Sequence, residues 1–416
     1  MLGTALTCVL LEVSSAAVSY TVSARVDSRV RSNDTTTEGA PSVAGDTDVV
    51  PTLGLERRDG NVLLQLDYAP RISLREVTAS PRTELQHTGR LAANWRPERG
   101  LSFRLSEELT LGSVNLFTTD LGPTPVDPGD GGTDGGPIVP PGGDVPLQPL
   151  PGADTVYFLS SATSLTMDTS WLGRRWQLSG STGFSVSGGL DETARETVPL
   201  QYGPRFDVSL SHALSSLSAI TTAVGVSHSR FSTGANNTVV TLTEAWGQRW
   251  SRRTSLEAGF GASLVRAEEA PDPEPVEGEE PQGPRVGVIP NLTLGIGHRV
   301  PSRAADFTGR LGVRLSPFVD RLTGRVYPRA DLTASGTWAL GPRVRVSPSL
   351  GTAFAVGGAT GDRIVSGGLT GSWTISRVVS VDADMRGTWS RSAELPAARF
   401  NWAATLGLTV RQTGIL

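Results

Sequence analysis

From Val18 onward the chain alternates apolar and polar residues with period two, in segment after segment of about a dozen residues. Val379, Val381, Ala383, Met385, Gly387 and Trp389 share one parity, while Ser380, Asp382, Asp384, Arg386, Thr388 and Ser390 share the other. Near the C-terminus, Phe400, Trp402, Ala404, Leu406, Leu408 and Val410 stand against Asn401, Ala403, Thr405, Gly407, Thr409 and Arg411. In an extended strand such alternation puts one set of side chains on each face. Eighteen segments of this kind can be counted between residues 18 and 412, among them 48–58, 61–75 and 84–96.

Their length discriminates between architectures. Strands of soluble sandwiches and propellers average about 5–6 residues, whereas a tilted strand crossing a bilayer needs about 9–11. The expectation is therefore an all-β fold, a transmembrane antiparallel up-and-down β-barrel of about eighteen strands. The connections support it. Tight links such as Asp59-Gly60-Asn61, Pro97-Glu98-Arg99-Gly100 and Gly341-Pro342-Arg343 alternate with longer ones. Short turns on one rim and long loops on the other, with an even strand count, characterise barrels of the outer membrane.

The tryptophans point the same way. Trp95, Trp171, Trp176, Trp250, Trp338 and Trp373 lie close to tight turns with apolar parity, and Trp389 and Trp402 lie towards the long-loop side. Two aromatic girdles at headgroup depth are expected, because an amphipathic indole is most stable there.

Composition removes other classes. The formal charge of -4 has the wrong sign for a nucleic-acid binder, and all 37 basic residues are Arg. A single cysteine, Cys8, permits neither an internal disulfide nor a cysteine metal cluster, and no cofactor or metal is expected. No apolar run reaches the length of a transmembrane helix. Residues 1–17 read as a signal peptide or its remnant, although no basic residue precedes Arg25. Residues 18–416 then form the barrel, integral to the outer membrane of a Gram-negative bacterium, with outer-membrane lipid and lipopolysaccharide around it.

Alternation, turn asymmetry and tryptophan placement together resemble the bacterial outer-membrane β-barrel class. Eighteen strands, the Arg-only composition and the polar interior are also similar to the integral barrel component of Wzx/Wzy-type polysaccharide export. That resemblance implies a secreted polysaccharide as substrate and a periplasmic polysaccharide-export protein as partner.

If apolar side chains meet lipid, the opposite parity lines a water-filled lumen. Lumen-facing candidates are Arg104, Glu108, Arg310, Arg314, Asp331, Asp382, Asp384 and Arg386, with Arg25, Asp27, Arg29, Asp67, Arg90, Asp168, Arg205, Asp207, Glu257 and Arg345. Both signs are present, unlike the single-sign rings of a strongly ion-selective pore. No inward aromatic stripe is expected. A hydrated, weakly interacting wall suits a polymer exporter, a diffusion porin for small hydrophilic solutes, or a structural or adhesive barrel acting through its loops.

Two external loops stand out. Residues 118–152 are rich in Pro and Gly, and 268–283 are rich in acid among prolines. The first holds the position of the channel-narrowing loop of porins. The four histidines, His87, His212, His228 and His298, take outward or rim parity, and no metalloprotease element or phosphate-cradling loop occurs. No enzymatic activity is expected.

Overall fold

The computed structural model describes residues 18–32, 43–77, 80–114, 156–171, 175–268, 285–302, 305–320, 324–356, 363–391 and 399–415. They form one eighteen-stranded antiparallel sheet. The first strands are β1 (Val18–Ser32), β2 (Val43–Asp59), β3 (Val62–Val77), β4 (Ser80–Glu98), β5 (Leu101–Val114) and β6 (Val156–Trp171). Then come β7 (Trp176–Gly189), β8 (Gln201–Ala213), β9 (Ser218–Phe231), β10 (Asn236–Arg249), β11 (Thr254–Glu268) and β12 (Arg285–Val300). The last are β13 (Asp306–Val319), β14 (Val326–Leu340), β15 (Val344–Ala355), β16 (Arg363–Thr374), β17 (Val379–Arg391) and β18 (Arg399–Ile415).

Each strand pairs with its sequence neighbours, and β18 closes the sheet on β1 from Ser19↔Ile415 to Arg31↔Ala403. Closure leaves no sheet edge, as a structure spanning hydrocarbon requires. Strands about 4.8 Å apart and tilted about 40° place opposite walls of such a barrel about 35 Å apart, too far for side chains alone to fill.

Side-chain exposure defines the two faces. Val22, Val26 and Val30 on β1, Leu311 and Val313 on β13 and Leu406, Leu408 and Val410 on β18 are exposed, while the alternate residues point inward. A soluble protein would bury such a belt of Val and Leu. Here it is the surface offered to lipid.

The tryptophans take the outward face. Trp95 stacks on Phe103, while Trp176 with His212 and Trp338 with Phe307 form tilted ring pairs, all near the short-turn end. Trp171, paired with Trp176, and Trp250 and Trp373 lie at that end too, whereas Trp389 and Trp402 lie towards the opposite one. The ninth, Trp246, joins the first group and donates its indole N–H to Ser218 Oγ at 2.9 Å.

At the short-turn end, which is the periplasmic one by the rule for such barrels, Gly60, Gly100 and Gly341 have φ of 51°, 91° and 72°. Each supplies the left-handed backbone of a tight turn. The asymmetry between ends is looser than the sequence suggests. On the external side β3 and β4 pair up to Val77↔Ser80, and Phe231 and Asn236 are separated by four residues only. Residues 118–152 and 269–283, and the N-terminal 17, lie outside the described residues; Glu268 ends β11.

Two external connections fold inward. Between β7 and β8 a short helix, α1 (Glu192–Thr197), is capped by Asp191, whose Oδ1 accepts from the Ala194 N–H at 2.7 Å. It rests on Gly189, where a Cβ would meet the Ala194 carbonyl carbon at 2.3 Å; since Gly189 has inward parity, α1 lies inside the barrel. The second is the outer end of the β13–β14 hairpin. Pairing of β12 with β13 stops at Leu292↔Leu315. Continuing the register would oppose Pro290 to Pro317, neither of which has an N–H to give. The freed hairpin end leans across the inner wall, where Val326 packs on Val239, Val265, Ala267 and Ile289, and Val319 on Phe231 and Ala235.

Candidate functional site: the lumen

The lumen wall is built from alternate residues of all eighteen strands, so its chemistry follows from register. Arg104, Glu108, Arg310, Arg314, Asp331, Asp382, Asp384 and Arg386 all have inward parity. The register sets Arg90 beside both Asp67 and Glu108, and Arg314 beside Asp331. Many charges are matched locally, often by an arginine and a carboxylate two residues apart on one strand. Arg25–Asp27 at 2.7 Å, Arg205–Asp207 at 2.6 Å, Arg329–Asp331 at 2.9 Å and Arg386–Asp384 at 2.7 Å repeat this motif.

Glycines opposite the carboxylates make room for them. A Cβ on Gly407 would stand 2.3 Å from Asp27 Oδ1, one on Gly225 2.7 Å from Asp207 Oδ1, and one on Gly54 2.8 Å from Asp67 Oδ1. These carboxylates lie along the wall and do not project into the channel. Between the charges run hydroxyl pairs across strands: Ser106 with Ser164 at 2.7 Å, Thr241 with Ser263 at 2.8 Å, Ser211 with Thr221 at 3.1 Å and Thr337 with Ser347 at 3.2 Å. Apart from Ser263, which is fully buried and also accepts from Asn291 Nδ2 at 2.8 Å, these hydroxyls keep capacity for water or sugar after bonding their neighbours.

Exposure changes along the axis. Towards the periplasm, Asp67, Arg90, Arg104, Glu108, Arg310 and Arg345 are exposed although they point inward. Towards the exterior, Asp27, Arg31, Asp46, Asp48, Arg75 and Glu84 are buried, as are Asn237 and Ser263 on the opposite wall. The channel is open below and narrowed above.

Part of this narrowing comes from residues the alternation did not flag. The buried pairs Arg31–Asp46, at 2.8 Å, and Arg75–Glu84 join β1 to β2 and β3 to β4. Among the described residues four aromatics also have inward parity, which alternation alone does not reveal: Phe158, Phe231, Phe318 and Tyr327. All four are buried near the external mouth, so they form no track along the channel. Phe318 and Tyr327 pack as a tilted pair with centroids 5.3 Å apart, and the Arg329 guanidinium lies 4.5 Å from the Phe318 ring centroid.

Gly324 seats the inward-leaning hairpin. Its φ is +71°, and a Cβ there would stand 2.4 Å from Ala235 Cβ. Gly324→Val combines a disfavoured backbone with a collision against β9–β10. Single-channel conductance of the purified barrel is expected to rise about twofold as the hairpin lifts off the wall; an unchanged conductance would show that the hairpin does not limit the channel.

The histidines occupy the other face. His87 shares a hydrogen bond with Tyr68 at 2.7 Å, His228 with Thr238 at 2.9 Å and His298 with Thr254 at 2.9 Å, on three separate parts of the outer wall. Among the described residues no cluster of His, Cys, Asp or Glu is arranged to hold a metal ion.

With a closed polar lumen and a lipid-facing belt established, the decisive observation is a match to the sequence profile of the EpsX exopolysaccharide export family over residues 10–416. The chain belongs to the EpsX exopolysaccharide export family. It is an outer-membrane β-barrel channel, integral to the membrane, and its family is one of polysaccharide export. No curated protein matches it. Among solved structures it is similar to OpdQ of Pseudomonas aeruginosa, with 10% identity, a TM-score of 0.43 and coverage of 97% of this chain and 100% of that one. The outer membrane protein OpdK of the same species gives 11%, 0.44, 95% and 99%. The FrpB iron transporter of Neisseria meningitidis gives 9%, 0.49, 92% and 62%.

Proposed function

We propose that this EpsX-family barrel is a passive conduit that takes an exopolysaccharide from a periplasmic export protein and releases it at the cell surface without chemical change. The observation that carries this reading is the lumen of a chain matched to an exopolysaccharide export family: polar, locally charge-balanced and open towards the periplasm. A sugar polymer has many hydroxyls and must slide. Strong, unmatched charge or an exposed aromatic track would hold it in place, whereas paired charges and partly satisfied hydroxyls offer weak bonds exchangeable with water. On this reading Arg310, Arg314, Asp331, Asp382, Asp384, Arg386, Arg104 and Glu108 hydrate the path, and the narrowed external end limits exchange of other solutes.

Blocking the lumen tests the proposal directly. Ser335 is inward-facing and exposed. In cells carrying Ser335→Cys, a bulky thiol reagent should stop the appearance of surface glycan, while the unlabelled variant secretes normally. Continued secretion after complete labelling, or after deletion of the gene, would reject the conduit. Free passage of small sugars through the barrel with glycan secretion intact would favour a diffusion porin.

A further inference from the structure

At the external end of the lipid-facing surface, β16 and β17 set two arginines directly against each other: Arg363 pairs with Arg391. Both are exposed and share the outward parity of Val365, Leu369 and Met385. Opposed residues in antiparallel strands are about 4.5–5.5 Å apart at Cα, and like charges so placed destabilise a sheet. Lumen arginines such as Arg25 and Arg386 are each paired with an aspartate two residues away. Neither Arg363 nor Arg391 has an ion pair among the described residues, and the residue two positions inward along each strand is apolar, Val365 and Trp389.

The surroundings identify what lies opposite. Arg363 is flanked across β15 by Phe354, and Val365 by Trp389, which pairs with Phe400. Phe400 is 61% exposed on the lipid side. An aromatic patch of this kind sits at the membrane interface. Two residues further along a strand tilted about 45° is about 5 Å further from the bilayer centre, the level of lipid headgroups. Arginine forks suit phosphate oxygens.

We propose that Arg363 and Arg391 form a binding site for a phosphorylated glycolipid of the outer leaflet. A phosphate lies between the two guanidinium groups, and the acyl chains run down over Phe354, Val365 and Phe400. The anion converts a repulsive cross-strand pair into a bridged one and fixes the barrel in its lipid surroundings. This inference rests on the outer-membrane reading of the lipid face and is independent of what passes through the lumen.

Native mass spectrometry of the purified full chain tests it, with bisphosphorylated lipid A, its dephosphorylated form and inorganic phosphate as probes. The wild type should retain bisphosphorylated lipid A through detergent exchange, and dephosphorylated lipid A should dissociate. In Arg363→Ala/Arg391→Ala, retention should fall about 10- to 100-fold, the loss of one to two charge-assisted contacts. Arg363→Gln/Arg391→Gln, which keeps a polar side chain without the charge should the alanine variant fold poorly, should lose retention to a similar extent. Arg266→Ala, removing an outward rim arginine already bound to Glu268 at 3.0 Å, should behave as wild type. Equal retention of both lipid A forms, binding of inorganic phosphate alone, or undiminished retention in both double variants would overturn the site. None of these readouts depends on glycan secretion, so the export reading and this one can fail separately.

Discussion

Replacing Arg31 with Ala is expected to destabilise the barrel by about 3–5 kcal/mol. Arg31 Nε donates to Asp46 Oδ2 at 2.8 Å, and the side chains are 5% and 2% exposed. Removing the cation leaves a carboxylate away from water with its partner gone. The surrounding arginines are already engaged. Arg75, opposite Asp46 on β3, is paired with Glu84, and Arg29 donates to Thr405 Oγ1 at 3.3 Å. Recruiting either to Asp46 weakens another contact, so relaxation recovers only part of the loss.

The paired replacement Arg31→Met/Asp46→Leu should cost much less than the single one, because no charge is left behind. Urea unfolding of the barrel refolded into lipid vesicles separates the cases. If Arg31→Ala cost under about 1 kcal/mol, the range of an exposed pair, water would have to reach the external mouth freely.

These pairs also show where reading the sequence stops. Alternation is imposed by two solvents, and it is strong only where one face meets hydrocarbon. Within that band inward residues such as Arg310, Asp331 and Asp382 can be placed by counting from Leu311, Leu332 or Val381. Beyond it both faces are polar. In Asp46-Thr47-Asp48 nothing distinguishes inside from outside, and β2 begins at Val43 although clear alternation begins near residue 48. The ends of β3 and β4 extend past their legible cores for the same reason.

The inward folding of the external end was hidden for other reasons. Helix α1 has six residues, too few to show a helical period, and its signal reduces to one capping residue, Asp191. The hairpin leaves β12 because Pro290 and Pro317 fall opposite each other, a fact about register that neither segment reveals alone. Phe231, Phe318 and Tyr327 are apolar residues of inward parity, which pattern counting treats as noise until the contacts with Ala235, Val319 and Arg329 are seen.

The division of solvents is put to its hardest test by two neighbouring residues at one height. Leu332 faces lipid and is 38% exposed; Thr333, the next residue of β14, faces the lumen with Gly312 and Gly351 directly opposite on the flanking strands. Leu332→Arg puts a guanidinium into the hydrocarbon band, with an expected cost of about 2–4 kcal/mol at the midplane. Thr333→Arg puts the same group into water, above two glycines that leave it space and within reach of Asp331 on the same face, with an expected change within about 0.5 kcal/mol. The two variants share charge, volume and strand, so intrinsic strand preference cannot separate them. Only the solvent on each side can. Equilibrium unfolding in lipid vesicles should show the first variant at a lower denaturant midpoint with an unchanged slope, and the second close to wild type. Equal costs would mean that the two faces meet the same solvent, which no membrane-spanning barrel allows.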